Sequence, residues 1–170
     1  MNQHLNNDIP ISDEMISRAR KKAAKIGELN NSITKGMGNL IGCIGEEVAL
    51  YVLSHYYDDI IEANTYDYDI IADGAKIDVK TKSTSVAPLP HYMCSVANYN
   101  TTQACDFYAF VRVKKDLTTA WWCGIISKEA FYKDATFMKK GQLDADNKYT
   151  VKADCYNIPI SGLHQQVCIC

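Results

Sequence analysis

The sequence predicts an α/β domain in which a mixed central sheet of about five strands is flanked by helices. Three observations predict it. The dipeptide Asp73-Gly74 sits between two alternating runs, the pattern of a two-residue type I′ hairpin. The segment from Leu40 to Tyr57 is apolar nearly all round, as a buried helix is, and its only formal charges are Glu46 and Glu47. The runs Asp106 to Lys114 and Leu117 to Ile126 alternate and are dense in aromatic and β-branched residues, as paired central strands are.

At 170 residues and 47% hydrophobic the chain can bury one sizeable core, so a single domain over 1–170 is expected, with 1–35 as an N-terminal arm and a basic helix. No stretch has the ~18 apolar residues of a membrane span, and the polar start M-N-Q-H-L-N-N-D is not a signal-peptide pattern, so a cytoplasmic protein with no membrane partner is expected. The seven cysteines are odd in number and mostly set in apolar surroundings, as reduced buried thiols are. Zinc ligands could be drawn from Cys155, His164, Cys168 and Cys170, but C-x-x-C spacing is absent. A net charge of −2 excludes a uniformly basic nucleic-acid coat and leaves room for a local basic groove.

Taken in order, residues 1–10 read as a loosely held arm ending at Pro10. Ser12 caps a helix from Asp13 and Glu14 whose apolar positions are Met15, Ile16, Ala19, Ala23 and Ile26, fading near Gly27 to Asn31. Its other surface carries Arg18, Arg20, Lys21, Lys22 and Lys25, which suits either a solvated face or phosphate contact. Asn30 to Asn39 is a loop with no P-loop order. A short strand at Asp58 to Ala63 follows the apolar helix. After the hairpin come a proline-bearing loop, an extended run at His91 to Asn100 and a helical turn at Thr101 to Cys105. Ser127 caps a short helix, Lys128 to Asp134. Tyr149 to Ala153 and Tyr156 to Ile160 read as edge strands, and Leu163 to Cys170 carries no assignment.

The hairpin carries the chemistry. Counting back from an Asp73-Gly74 turn sets Ile70 against Ile77, Asp69 against Asp78, Tyr68 against Val79 and Asp67 against Lys80. Asp67, Asp69, Asp78, Lys80 and Lys82 then share an ionic face, and Tyr68, Ile70, Ile77 and Val79 a core face. Directly opposed carboxylates repel unless something neutralises them. A hard divalent cation held by Asp69 and Asp78 would do so, with Lys80 beside it. A solvated hairpin with an Asp67–Lys80 ion pair is the plainer alternative. The upstream helix adds a second demand, because a carboxylate in an apolar helix is costly without a partner or a cation. Helical position leans to Glu47.

Asp69, the triplet Asp78-Val79-Lys80 and the helical Gly45-Glu46-Glu47, in that order, resemble the PD-(D/E)xK nuclease superfamily of restriction enzymes, Holliday-junction resolvases and phage exonucleases. The resemblance covers about residues 36–126, and Tyr68 stands where the family usually has proline. It implies a restriction-endonuclease-like core and a Mg²⁺-dependent DNA endonuclease, with Mn²⁺ able to substitute. By that resemblance Asp69, Asp78, the Val79 carbonyl and Glu46, or Glu47 in its place, hold the metal, and Lys80 positions the attacking water. From the counted pairing Asp67 is expected to orient Lys80, a solvent-facing charge being the alternative, and Arg18, Arg20, Lys21, Lys22 and Lys82 are expected to contact DNA. Double-strand cutters of this kind often pair as homodimers, which leaves Trp121 and Trp122 open as interface or core. A catalytically inactive nucleic-acid-binding or assembly protein on the same fold is the competing expectation.

Overall fold

A computed structural model describes residues 8–29, 37–144, 148–167 and 169. The expected arm at 1–7, the loop residues 30–36 with Lys35, and Cys168 and Cys170 of the zinc set lie outside the described residues.

The fold is mixed α/β, as expected, and its main sheet has six strands rather than about five. In chain order they are β1 (Asp8–Pro10), β2 (Ile60–Glu62), β3 (Ile70–Ala72), β4 (Ala75–Thr84), β6 (Phe107–Lys114) and β7 (Thr119–Ser127), arranged β1-β7-β6-β4-β3-β2. Only β4 and β6 run parallel; every other pair is antiparallel. The extra strand is β1. Asp8 to Pro10 is not a loose arm: it pairs with Thr119 to Trp121, and the Trp121 indole donates to Asp8 Oδ1 at 2.7 Å.

Two helices cover one face. α1 (Asp13–Leu29) starts where Ser12 Oγ accepts from Met15 N at 3.1 Å, and α2 (Met37–Leu53) lies against β4, β6 and β7. Ala19, Ile44, Val48 and Leu53 meet Ile70, Ile77, Ala109, Val111 and Val113 in this core. At its centre α2 and β4 approach so closely that a Cβ on Gly45 would stand 1.8 Å from Thr81 Oγ1, so only glycine fits there.

The opposite face is covered by α3 (Lys128–Asp134) and a three-stranded sheet of β5 (Met93–Ala97), β11 (Cys155–Pro159) and β8 (Thr136–Met138). Ser127 Oγ caps α3 by accepting from Ala130 N at 3.2 Å, as expected. β11 is the central strand of its sheet, not an edge, because Met93 to Ala97 and Thr136 to Met138 both pair with it. A two-stranded ribbon, β9 (Leu143–Asp144) with β10 (Tyr149–Thr150), completes the described elements. The unassigned C-terminal stretch packs back on the sheet, with His164 bridged to Ile125 and Val167 buried. Trp121 and Trp122 are buried in β7, so they serve the core. Among the described residues, no helix is long and apolar enough to cross a membrane.

Replacing Gly45 with alanine forces α2 away from β4, and we expect a loss of about 1–3 kcal/mol in denaturant unfolding. A stability equal to the parent protein's would show that the contact relaxes freely.

Candidate active site

The site forms where β4 parts from β3. The Asp73-Gly74 turn has positive φ at both positions, 44° and 82°, as a type I′ hairpin requires. It sets Ala72 against Ala75, Ile71 against Lys76 and Ile70 against Ile77, and there the ladder stops. β6 continues beside β4 to Thr84. From Asp78 onward the other edge of β4 therefore has no partner strand among the described residues.

Asp69 and Asp78 are thus not ladder partners, nor are Tyr68 and Val79, or Asp67 and Lys80. The chain before Ile70 is drawn away from β4. Thr65 Oγ1 donates to Tyr68 O at 2.8 Å and accepts from Tyr68 N at 3.0 Å, while Ala63 N donates to Asp69 O at 2.8 Å. Asp69 then substitutes for the missing strand. Its N–H donates to Ile77 O at 2.9 Å, and its Oδ2 accepts from Val79 N at 2.8 Å. Because a strand residue projects N–H and C=O to the same edge, the Val79 carbonyl points to this opening as well.

Asp78 lies on the face of β4 turned toward the second layer and is 4% exposed. Its Oδ2 is 2.6 Å from Lys80 Nζ yet accepts no well-aligned hydrogen bond. Gln103 spans the group: Nε2 donates to Tyr66 O at 2.7 Å and to Asp78 Oδ1 at 3.3 Å, and Oε1 accepts from Lys80 Nζ at 3.1 Å. Sequence reasoning missed Gln103. It sits in a short turn 25 residues beyond Asp78, and nothing in T-T-Q-A-C-D signals that a loop glutamine will be buried. Asp67 does not orient Lys80; its Oδ1 accepts from Ala104 N at 3.1 Å and so fixes the turn that carries Gln103.

The two helical glutamates part company. Glu47 is buried and paired with Arg18, whose Nε lies 3.0 Å away and whose Nη2 also reaches Glu62 at 2.6 Å. Glu46 is held by Lys22, and its charge acts on both Asp69 and Asp78. It is therefore Glu46 that belongs to the carboxylate group, placed by the Gly45 contact next to it. Of the cations named for DNA contact, Arg18 and Lys22 are engaged in these ion pairs, whereas Arg20 and Lys21 are exposed. Lys82 does not face open solvent; its Nζ donates to Ser95 Oγ at 2.7 Å and to Met93 O at 3.2 Å, between the two sheets.

The electrostatics record the crowding. Burial, then the charges of Glu46 and Asp78, push Asp69 from 3.8 up to about 7. Burial raises Glu46 in spite of Lys22, and raises Asp78 in spite of Lys80 and Gln103. Against the downward pull of burial, the Glu46 contact holds Lys22 above its ordinary value.

Among the described residues, no group of three His, Cys, Asp or Glu side chains is arranged as a ready metal cluster. Lys22 on Glu46 and Lys80 on Asp78 supply the positive charge there instead. The donor set nevertheless suits a hard cation: carboxylate oxygens from Asp69 and Asp78, one of them buried without an aligned donor, beside the Val79 carbonyl. No protein-family model and no curated protein matches the chain.

Asp69 binds its proton more tightly folded than unfolded, so in metal-free protein its contribution favours folding at low pH and is lost as pH rises from about 4 toward about 7. Denaturant titrations across that range should show stability falling with pH, and Asp69→Asn should flatten the fall. An identical slope in the variant would contradict the half-buried, crowded carboxylate.

Proposed function

We propose that the chain is a Mg²⁺-dependent DNA endonuclease on a restriction-endonuclease-like core, with Mn²⁺ able to substitute. One observation carries the reading: carboxylates from three elements, half-buried Glu46 of α2, half-buried Asp69 before β3 and buried Asp78 of β4, all bind protons more tightly than usual, with the charges of Glu46 and Asp78 acting on Asp69, beside Lys80 at an open strand edge. Like charges held close together and away from solvent oppose folding, which makes such a cluster a candidate functional site. The order of elements and the Asp69, Asp78-Val79-Lys80 pattern add the family resemblance.

Asp69, Asp78 and the Val79 carbonyl would hold the cation, with Glu46 completing the set. Bound there, it would lower the pKa of a water and offset charge on the phosphodiester oxygens. The chain's own residues do the rest. Lys80, anchored by Gln103 and Asp78, presents its ammonium where the attacking water or a phosphate oxygen would lie, stabilising charge as it develops. Asp69 stands near half-protonation at neutral pH in the absence of a cation, so cation binding would release a proton. Exposed Arg20 and Lys21 on α1 supply phosphate contacts that position a strand without reading its sequence.

A second reading has an observation of its own. Each acid is already held by a protein group, Glu46 by Lys22, Asp69 by the Val79 amide and Asp78 by Lys80. A protein that binds nucleic acid without cutting it could use this self-neutralised state.

Incubation with linear, nicked and branched DNA in Mg²⁺ separates the two. The nuclease reading expects cleavage that EDTA abolishes and that Asp78→Asn and Lys80→Ala each lower roughly 100-fold or more. DNA binding that weakens with salt, with no cleavage in any divalent cation, would favour the second reading. Cleavage unchanged in both variants would remove these residues from the chemistry.

A further inference from the structure

Beyond Lys80, the ionic face of β4 continues into a partly enclosed cavity of about 110 Å³ between the two sheets. Its wall includes Lys80, Lys82, Ser95 and Arg112, with Cys94 and Cys123 behind them. Lys82 and Arg112 are neighbours because β4 and β6 run parallel in register, Lys82 beside Arg112. The volume is several times what a single water needs and well below the ~300 Å³ at which pockets for drug-sized ligands begin.

Lys80 is paired with Asp78, but the other two cations of this wall, Lys82 and Arg112, have no carboxylate partner among the described residues. Arg112 Nη2 donates to Met93 O at 2.8 Å, and the same carbonyl accepts from Lys82. Lys82 has one other acceptor, Ser95 Oγ, which in turn donates to Asn157 Oδ1 at 2.5 Å. Among the described residues neither cation forms an ion pair with a carboxylate. Two full charges so placed leave donors over: an ammonium has three and a guanidinium five. Burial and the nearby Arg112 charge lower the Lys82 pKa, which an anion in the cavity would reverse. The acidic groups that reach Lys82 through space are Cys94, Cys155 and Asp144.

We infer that this cavity is an oxyanion subsite that takes a single phosphate group, held by Lys82, Arg112 and Ser95. The volume suits one phosphate group, Lys82 and Arg112 carry N–H donors beyond the bonds just named, and a planar guanidinium beside an ammonium suits the several oxygens of a phosphate monoester. Two sources offer that chemistry: free phosphate and the phosphorylated end of a nucleic-acid strand. The subsite stands on the cavity alone. Its use by a strand end rests on the nuclease reading, since Lys80 lines the cavity and also touches Asp78.

The test is thermal unfolding of the full chain with inorganic phosphate, against chloride at matched ionic strength. We expect Tm to rise by about 3 °C or more once phosphate exceeds its dissociation constant tenfold. Lys82→Met and Arg112→Gln should each abolish the rise, and Arg112→Lys, which keeps the charge and the packing, should weaken it. No phosphate-specific rise, or a full rise in both Lys82→Met and Arg112→Gln, would overturn the subsite. A short oligonucleotide with a 5′-phosphate, compared with its 5′-hydroxyl twin in EDTA, identifies the source. Tighter binding of the phosphorylated strand that inorganic phosphate competes away supports a strand end, and equal binding of the two assigns the site to the free anion. Asp78→Asn separates this inference from the nuclease reading, because it should end cleavage and leave the phosphate-dependent rise in place.

Discussion

β4 is paired along one edge over eight residues with β6 and along the other over only three with β3, and the candidate site follows from that asymmetry. A strand edge left open inside a protein presents amides and carbonyls that must find partners. Asp69 answers part of the demand with its carboxylate on the Val79 amide, and in doing so brings its own charge to the opening. Had β3 continued pairing past Ile70, Asp69 and Tyr68 would have filled the edge and the Val79 main chain would be closed to any ligand.

The second constraint is steric. The α2–β4 approach at Gly45 and Thr81 is the tightest helix–sheet contact that a glycine makes in the described chain, and the next residue is Glu46. The same contact that packs the core thus delivers the third carboxylate. These acids remain folded together because two lysines from opposite directions, Lys22 of α1 and Lys80 of β4, lie against them. Two cations face three carboxylates, and the excess negative charge together with the loss of solvent raises Asp69 to about 7.

Much of this was legible in the sequence where the determinants are local. Asp73-Gly74 dictates its turn and the first three cross-strand pairs, Ser12 and Ser127 cap the helices they precede, and the alternation of Phe107 to Lys114 marks a central strand. What failed depended on residues far apart in the chain. Counting register past Ile70 assumed an uninterrupted strand, whereas the Thr65 turn diverts it. Asp8 to Pro10 becomes a strand only because β7 offers an edge, and β11 becomes central only because β5 and β8 flank it. Gln103 was invisible for the same reason, since its partners Tyr66, Asp78 and Lys80 lie 37, 25 and 23 residues away. That Arg18 pairs with Glu47 and Lys22 with Glu46 likewise depends on the position of α1.

The central claim is that the open edge of β4 is a cation site, and crystals grown with Mn²⁺ test it most directly through the metal's anomalous signal. The account predicts one peak at about 2.0–2.3 Å from oxygens of both Asp69 and Asp78, with the Val79 carbonyl turned to it and Lys80 drawn off Asp78. A structure in saturating Mn²⁺ with no peak there, and with Lys80 still seated on Asp78, would contradict it.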